Sequence, residues 1–156
     1  MSKKKPKPGG QNVVQNKAAR FRYEILERME CGMALKGTEV KSLRNRQASL
    51  EEAFARIQGE ELWLIGCHIN LYTEGNVQNH EPTRPRKLLA HKREIRKWIP
   101  QVTAKGLTIV PLDIHFNTRG LAKITLALVR GKTFADKRQD IRKREHRREM
   151  ERAMRR

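Results

Sequence analysis

Apolar and polar residues alternate along several short stretches of this chain, which is the pattern of half-buried β-strands. The alternation predicts strands over 21–29, 35–43, 63–71, 109–116 and 124–128. Within 63–71 the apolar residues at odd-numbered positions, from Trp63 to Leu71, are predicted to form the buried face of the strand. The alternation slips at Val110, which indicates a bulge near Pro111.

Two helices are predicted between these strands. Ser49 followed by Glu52 has the spacing of a capping box and predicts a short helix through Ala55. A second helix is predicted from about 86 to 99, closed by Pro100, with an apolar stripe made of Leu88, His91, Ile95, Trp98 and Ile99. Turns are predicted at 59–60 and 117–120, and a loop over 72–85.

Short antiparallel strands with one substantial helix predict a mainly β protein built on a small closed or partly closed antiparallel barrel with flanking helices. We expect three regions in the chain of 156 residues. Residues 1–15 are rich in Lys, Pro and Gly and predict a flexible basic arm. Residues 16–131 are predicted to form the folded domain, and residues 132–156 are predicted to form a basic C-terminal tail.

The C-terminal segment 130–156 holds twelve Lys or Arg, five Asp or Glu, and few apolar residues. Such a segment has too little to bury to offset the entropy of ordering. Asp136 followed by Gln139 nevertheless resembles a helix start, and Asp140 and Arg144 are spaced for a helical ion pair. We therefore expect the tail to become helical only when a long polyanion binds it.

The formal net charge is +18 and the calculated pI is near 10.7, which indicate a nucleic-acid-binding protein. Segment 84–97 carries seven basic residues and one acid; it is either a solvated helix face or a surface that follows a phosphate backbone. The few aromatic residues mostly fall at core positions, so recognition of a folded RNA through shape and phosphates is favoured over base stacking.

Other features limit the class of protein. No stretch has the apolar length of a membrane span, and the lysine-rich start has no signal-peptide core, so we expect a cytoplasmic protein without a membrane partner. Cys31 and Cys67 lie in apolar runs and suit buried thiols in a reducing compartment. No metal-ligand motif, phosphate loop or cofactor motif is present in the sequence, so no cofactor or metal is expected.

Two other functions remain open on the residues alone. His68 and His115 are predicted on outer strand faces, and His115 shares its face with Asp113, so a basic ribonuclease or RNA-modifying enzyme is the alternative from another class. No spacing matches a known catalytic set, which favours a protein that is not an enzyme. A structural ribosomal protein is the third possibility.

Six segments in this order are similar to one bacterial family, the SsrA-binding proteins (SmpB). They are Asn16-Lys17, GTEVKSLR at 37–44, the loop at 75–82, RPRKLLAHKREI at 84–95, KGLTIVPL at 105–112 and GKTFADKR at 131–138. The resemblance covers about nine-tenths of the chain. It implies an oligonucleotide-binding-like (OB-like) barrel and an RNA-binding adaptor of trans-translation, with no small-molecule substrate.

The resemblance implies two partners. The first is the tRNA-like domain of transfer-messenger RNA, which the protein would deliver to stalled ribosomes. The second is the ribosome, where the tail would contact small-subunit rRNA at the decoding centre and occupy the vacant mRNA channel. Ala135 stands where the family often holds a histidine or an aromatic residue.

The resemblance also implies site residues. RNA contacts would fall to Lys17, Arg20, Tyr23, Glu30, Lys41, Arg44, Arg84, Arg86, Lys87, Leu88 and Lys123. Ribosome contacts in the tail would fall to Lys132, Phe134, Asp136, Lys137, Arg138, Arg142, Lys143 and Arg144.

Overall fold

The computed structural model describes residues 12–73, 79–131 and 134–155. The elements in chain order are β1 Asn12–Gln15, α1 Lys17–Arg22, β2 Tyr23–Met33, α2 Gly37–Arg44, β3 Ala48–Ser49, β4 Phe54–Gln58, β5 Glu61–Ile65, β6 His68–Ile69, β7 Arg86–Leu89, α3 Lys92–Thr103, β8 Thr108–Phe116, β9 Ala122–Gly131 and α4 Phe134–Met154.

Six antiparallel strands close into a ring. Their order is β8, β4, β5, β7, β2 and β9, and β9 pairs again with β8. Strand β1 is added to β8, and β3 pairs with β6 in a separate two-stranded ribbon. The predicted fold class, mainly antiparallel β with flanking helices, is confirmed.

The core has two parts, one inside the ring and one outside it. The inner part contains Leu43, Leu64, Trp98 and the inward residues of the strands. The outer part lies under α1, where Ala19 packs against Val110 on β8 and its neighbours on β9. Because both faces of β8 are covered there, its residues from Ile109 to Leu112 are all buried.

Several sequence predictions agree with the structure. The hairpin turn at Gly59 has a positive φ of 66°, and Asn117 Oδ1 accepts hydrogen bonds from backbone N–H groups in the turn before β9. Strand β8 shows the predicted irregularity, since its register with β9 shifts between Pro111 and Asp113. Alternating burial along β2 begins at Tyr23, as the pattern indicates.

The segment 35–43 was predicted as a strand, which is wrong, because residues 37–44 form helix α2. Helical spacing places Glu39, Ser42 and Leu43 on one buried face. The β-branched residues in this segment favoured a strand, but tertiary contacts of the buried face decide the conformation.

The capping box at Ser49 is also wrong as a helix start. Ser49 Oγ accepts a long hydrogen bond of 3.4 Å from the Glu51 backbone N–H, and the chain then turns into β4. The predicted helix 86–99 is instead two elements, strand β7 and helix α3. His91 is the exposed N-cap residue just before α3 and not part of a buried stripe, and the helix continues past Pro100 to Thr103.

The predicted strand 63–71 changes its buried face at Gly66. Before Gly66 the buried residues are Leu62 and Leu64, and after it they are Cys67 and Ile69. Gly66 has φ 76°, and a Cβ atom there would lie 2.7 Å from the carbonyl oxygen of Glu52. Glycine therefore permits the turn that reverses the alternation.

The boundary of the N-terminal arm also differs from the prediction. Residues 12–15 form strand β1, whose half-buried Val13 and Val14 pack against the core. Helix α1 follows and includes Phe21, which was predicted in a strand. The predicted arm residues 1–11 lie outside the described residues.

Within the described residues, every helix is too short or too polar to cross a membrane.

Candidate nucleic-acid interface

Helix α2 is held against the segment leading into β7 by three charged residues, Glu39, Arg84 and Arg86, which we call the Glu39 cluster. Arg84 donates two parallel hydrogen bonds to the carboxylate of Glu39, from Nε at 2.7 Å and from Nη2 at 2.6 Å. Arg86 Nε donates a third at 2.9 Å. The backbone N–H of Lys36 donates a fourth at 2.8 Å, so the same carboxylate also caps the first turn of α2.

The cluster keeps Glu39 ionised although its side chain is fully buried. Burial raises the pKa of the carboxyl, whereas the hydrogen bonds from Arg84 and from the Lys36 backbone, together with the positive charge of Arg86, lower it. The lowering causes prevail, so the pKa lies below its usual 4.5. The cluster is therefore a buried network of compensated charges at neutral pH.

Two of the residues assigned to RNA contact are buried, so direct contact by their side chains is wrong. Arg86 is 0 % exposed, and its remaining guanidinium nitrogens donate to the carbonyl oxygens of Cys67 at 2.7 Å and Pro82 at 3.0 Å. Leu88 is 2 % exposed and belongs to the inner core. Arg84 has a side chain 23 % exposed and directs its Nε and Nη2 at Glu39, so its assignment to RNA contact stays a prediction.

The outer face of α2 presents two positive side chains to solvent. Lys41 is exposed, with its Nζ 5.3 Å from the centroid of the Tyr72 ring. Arg44 is exposed, with its Cζ 5.6 Å from the centroid of the Phe116 ring at the end of β8. Each ring restricts the cation next to it while leaving the charge open to an anionic partner.

A polar network crosses the outer faces of β2, β8 and β9. His115 Nδ1 lies 2.7 Å from Asp113 Oδ1, and its Nε2 lies 3.3 Å from Glu30 Oε2. The hydroxyl of Thr125 donates to Asp113 Oδ1 at 3.2 Å. Lys123 is directly opposite His115 in the β8–β9 register. The sequence indicated that Asp113 and His115 share a face, but the parts of Glu30 and Thr125 depend on strand pairing that periodicity does not reveal.

Beside this network, a groove of about 1010 Å³ lies between β7 and the start of α3. Lys87 and Lys123 line it together with Glu30 and the exposed Leu89. Lys87 also forms a surface ion pair with Glu61 at 3.3 Å. The groove therefore carries positive charge from Lys87, Lys92 and Lys123, but four glutamates in its lining, Glu30, Glu60, Glu61 and Glu94, offset that charge.

Helix α3 holds the remaining basic residues of segment 84–97, and acids compensate several of them. Arg96 pairs with Glu60 at 2.9 Å, and Lys97 pairs with Glu27 at 2.7 Å. Lys92 lies 3.8 Å from the same Glu60. This part of the segment is thus less available to phosphates than its composition predicts.

Helix α1 contributes a further exposed basic region, close to the C-terminal helix. Lys17 and Arg20 are exposed and line a cavity of about 270 Å³ with Asp113 and Arg144. The Cζ of Arg144 lies 5.2 Å from the centroid of the Phe21 ring. Helix α4 therefore leaves the folded domain beside α1.

The tail residues differ in exposure. Lys137 is half-buried, whereas Arg138, Arg142, Lys143 and Arg144 are exposed. Lys132 and the side chains of Phe134 and Asp136 lie outside the described residues, so their assignments stay predictions.

Shared neighbours join several of these candidates, and we call the whole set the basic band. Asp113 links the α1 region to the His115 network, and Glu30 and Lys123 link that network to the groove. Arg44 reaches the end of β8, and the half-buried Tyr23 begins β2. The band comprises Lys17, Arg20, Tyr23, Glu30, Lys41, Arg44, Lys87 and Lys123.

The chain is similar to proteins of one family over nearly all its length. The family model described as SmpB protein matches residues 13–156. An SsrA-binding protein of Rhodopirellula baltica is 49 % identical over 153 residues, covering 98 % of this chain and 87 % of that one. An SsrA-binding protein of Moorella thermoacetica is 52 % identical over 143 residues, covering 92 % of each chain.

A solved structure gives the same result for the fold. A chain in the structure described as "tmRNA-SmpB: a journey to the center of the bacterial ribosome" is 48 % identical, with a TM-score of 0.65. The match covers 82 % of this chain and 93 % of that chain.

Proposed function

This chain belongs to the SmpB family of SsrA-binding proteins, and from that premise we propose that it is an RNA-binding adaptor of trans-translation. It binds the tRNA-like domain of transfer-messenger RNA, delivers that RNA to stalled ribosomes and places its C-terminal tail in the vacant mRNA channel. The observation that carries this proposal is the division of positive charge between the basic band on the ring of strands and an exposed polar helix, α4.

The basic band suits a folded RNA. Its cations come from α1, α2, β7 and β9, so they are spread over a surface and do not form one stripe. Phosphate contacts from such a surface follow the shape of the ligand and do not read its bases. Glu30 is the acid of the band, and its carboxylate can accept from a ribose hydroxyl or a base amino group. All eight residues of the band are proposed as direct contacts.

The tail suits a second, elongated anionic site. From 141 to 155 every residue of α4 is exposed, so the helix has little within the folded domain to hold it. An rRNA-lined channel supplies phosphates along the whole length of such a helix, and binding there releases counterions. A channel already filled with mRNA excludes the tail sterically, so the tail detects vacancy. We extend this role to all eight tail residues assigned by the resemblance.

Truncation after Gly131 tests this division of labour. The truncated protein should bind free transfer-messenger RNA within about threefold of the full chain, because the basic band is unchanged. It should fail to support peptide tagging on stalled ribosomes, because nothing enters the channel. If truncation weakens binding to the free RNA as much as it weakens tagging, the proposal is wrong.

A matched pair of variants tests the band itself. Lys123→Gln removes one charge from the band, and Lys105→Gln removes one exposed charge outside it. We expect only Lys123→Gln to weaken binding of the tRNA-like domain in a filter-binding titration. Equal effects of the two variants would indicate nonspecific attraction by net charge.

We propose no catalytic step for this protein, and we propose that it acts at the ribosome in the cytoplasm. Both ring nitrogens of His115, the residue favoured by the ribonuclease alternative, face carboxylates. Labelled RNA incubated with the purified protein and a chelator should stay intact. Cleavage that disappears in His115→Ala would contradict the adaptor proposal and favour the enzyme.

A further inference from the structure

The Glu39 cluster joins two motifs of the family resemblance, GTEVKSLR on α2 and RPRKLL at β7. Arg86 and the acid between the two arginines are fully buried, and Arg84 directs two of its nitrogens at that acid. Direct binding therefore does not account for the cluster as a whole.

We propose that Glu39, Arg84 and Arg86 are positioning residues for RNA binding. They fix helix α2 on the ring of strands so that Lys41 and Arg44 are held ready toward the RNA. This inference rests on the proposed function and deepens it.

The geometry supports a positioning role because the cluster contacts α2 at its first turn. Glu39 accepts from the Lys36 backbone N–H, while Arg86 donates to carbonyl oxygens on two separate segments, at Cys67 and Pro82. The start of α2 is therefore tied through one guanidinium to the link between β5 and β6 and to the loop before β7. Lys41 and Arg44 lie one to two turns further along the same helix.

A second link between α2 and the same loop uses His80, which is 2 % exposed. His80 Nε2 lies 2.9 Å from the carbonyl oxygen of Ile69, which can only accept, so Nε2 carries the hydrogen. Nδ1 then accepts from the hydroxyl of Thr38 on α2 at 2.9 Å. Ser42 Oγ adds a hydrogen bond of 2.7 Å to the carbonyl oxygen of Asn70. Several polar contacts thus set the position of one short helix.

Holding α2 in place favours binding for an entropic reason. A surface whose charges already occupy their bound positions loses less conformational freedom on association. Lys41 and Arg44 are restrained at their tips by aromatic rings, and the Glu39 cluster restrains the helix that carries them. Without the cluster, these two charges would remain present but would be poorly placed.

The Glu39→Gln variant tests the proposal because electrostatics alone predicts the opposite sign. Removing an acid from a protein that binds a polyanion should strengthen binding if only net charge matters. The positioning role predicts that binding of the tRNA-like domain becomes about tenfold weaker, the size expected when one charge-assisted contact is lost. Glu24→Gln is the matched control, since Glu24 is an exposed acid paired with Arg130, and it should bind as well as the natural chain or better.

A double-mutant cycle shows whether the effect passes through α2. Lys41→Gln combined with Arg44→Gln removes the charges that the cluster positions. In that background Glu39→Gln should cause no further loss of RNA affinity, because there is nothing left to place. If Glu39→Gln weakens binding by the same factor in both backgrounds, the proposal is wrong. It is equally wrong if Glu39→Gln binds as tightly as the natural chain.

Arg84→Lys covers the case in which Glu39→Gln does not fold. It preserves the charge and could still reach a phosphate, but it cannot make the two parallel hydrogen bonds to Glu39. We expect weaker RNA binding, whereas Arg56→Lys, an exposed arginine on β4, should change nothing. Full affinity of a folded Arg84→Lys protein would overturn the inference. Failure of the natural chain to bind the RNA would instead overturn the proposed function.

Discussion

A carboxylate with no exposure, such as Glu39, is stable only where its charge is compensated. Removing such a group from water is expensive, and the interior offers few partners. Here two guanidinium groups and one backbone N–H occupy its oxygens. The stability of the Glu39 cluster therefore depends on all of its members, because the buried charges of Glu39 and Arg86 compensate each other.

We expect Glu39→Ala to lower the free energy of unfolding by about 3–5 kcal/mol at pH 7, because Arg86 is left as an unpaired buried charge. Urea denaturation followed by circular dichroism measures this change. Glu24→Ala, which breaks an exposed pair with Arg130, should change it by less than about 1 kcal/mol. Similar effects of the two variants would contradict the buried, compensated character of Glu39.

Acid should remove the contribution of Glu39. Its folded pKa is lowered, so the stability that it contributes is present above about pH 4.5 and is lost as pH falls through the folded pKa. The difference in unfolding free energy between the natural chain and Glu39→Gln should therefore shrink as the pH falls below 4.5. A difference independent of pH between 7 and 3 would exclude this linkage.

The two cysteines should be unreactive in the folded protein. Burial raises the pKa of Cys31 to about 12, with Glu94 and Glu30 adding to the effect and Lys123 opposing it. Burial likewise raises the pKa of Cys67 to about 11. Because the thiolate is the reactive form, a thiol reagent at pH 8 should label neither residue until denaturant is added. Rapid labelling of one thiol in the native protein would show that its burial is incomplete.

Among the elements, the link between β5 and β6 depends on one backbone angle. Gly66→Ala should lower the free energy of unfolding by about 2 kcal/mol or more, because a positive φ is strained for alanine and its Cβ would meet a backbone carbonyl. Gly59→Ala is the matched control, with φ 66° and nothing within 4 Å of the added Cβ. It should cost only about 1 kcal/mol, and equal losses on thermal denaturation would contradict the close approach at Gly66.

Helix α4 should form fully only with a partner. Its exposed Ile141, Met150 and Met154 contribute little packing, and most of the stability of a helix in a protein comes from packing of its apolar face. A peptide of residues 132–156 should show weak helical circular dichroism in buffer and a clear increase on adding an RNA duplex. A peptide that is stably helical in buffer alone would contradict the prediction that the tail folds on binding.

Sequence patterns identified strands even where a second core covers the other face, as on β8 and β9. Strands β8 and β9 were predicted correctly, because their inward residues alternate. Helix α2 was missed because its buried face includes the charged residue Glu39. A glutamate is expected to face solvent, and its burial is explained only by its contacts with Arg84 and Arg86 in the folded structure. Segment 86–99 was misassigned because strand β7 and helix α3 follow each other closely and both are basic.

The candidate site was only partly predictable from the sequence, because the burial of its residues depends on the fold. The family resemblance selected motifs, but it could not separate the residues of a motif that face solvent from those that are buried. Lys87 is accessible on β7, whereas its neighbours Arg86 and Leu88 point inward, as strand alternation requires. The accessible and the buried residues of this motif can be told apart only once residues 86–89 are known to form a strand.

At the scale of the whole molecule, the net charge is +18, and the proposed function assigns the basic band and the tail to different RNAs. Salt dependence distinguishes them. For the free tRNA-like domain, the slope of log K against log salt should be nearly equal in the full chain and in a chain truncated after Gly131. Lys123→Gln should reduce the slope by about 0.7–0.9, the effect of one lost phosphate contact.

The result that would contradict this assignment is a slope that falls by several units on truncation. That outcome would place the tail on the same RNA as the ring of strands. Fluorescence anisotropy of a labelled tRNA-like domain, repeated over a range of potassium chloride concentrations, measures both slopes under one set of conditions.

Closure of the ring affects how copies of this protein behave when many of them are concentrated on RNA. Several copies of a strongly cationic protein gather wherever RNA is dense, and neighbouring copies then collide often. Each strand of the closed ring has a hydrogen-bonded neighbour on both sides, although β4 meets β8 at a single residue pair, so such encounters find few open edges there on which to add a foreign strand. The topology thus limits aggregation through those strands where the protein concentrates on its ligands.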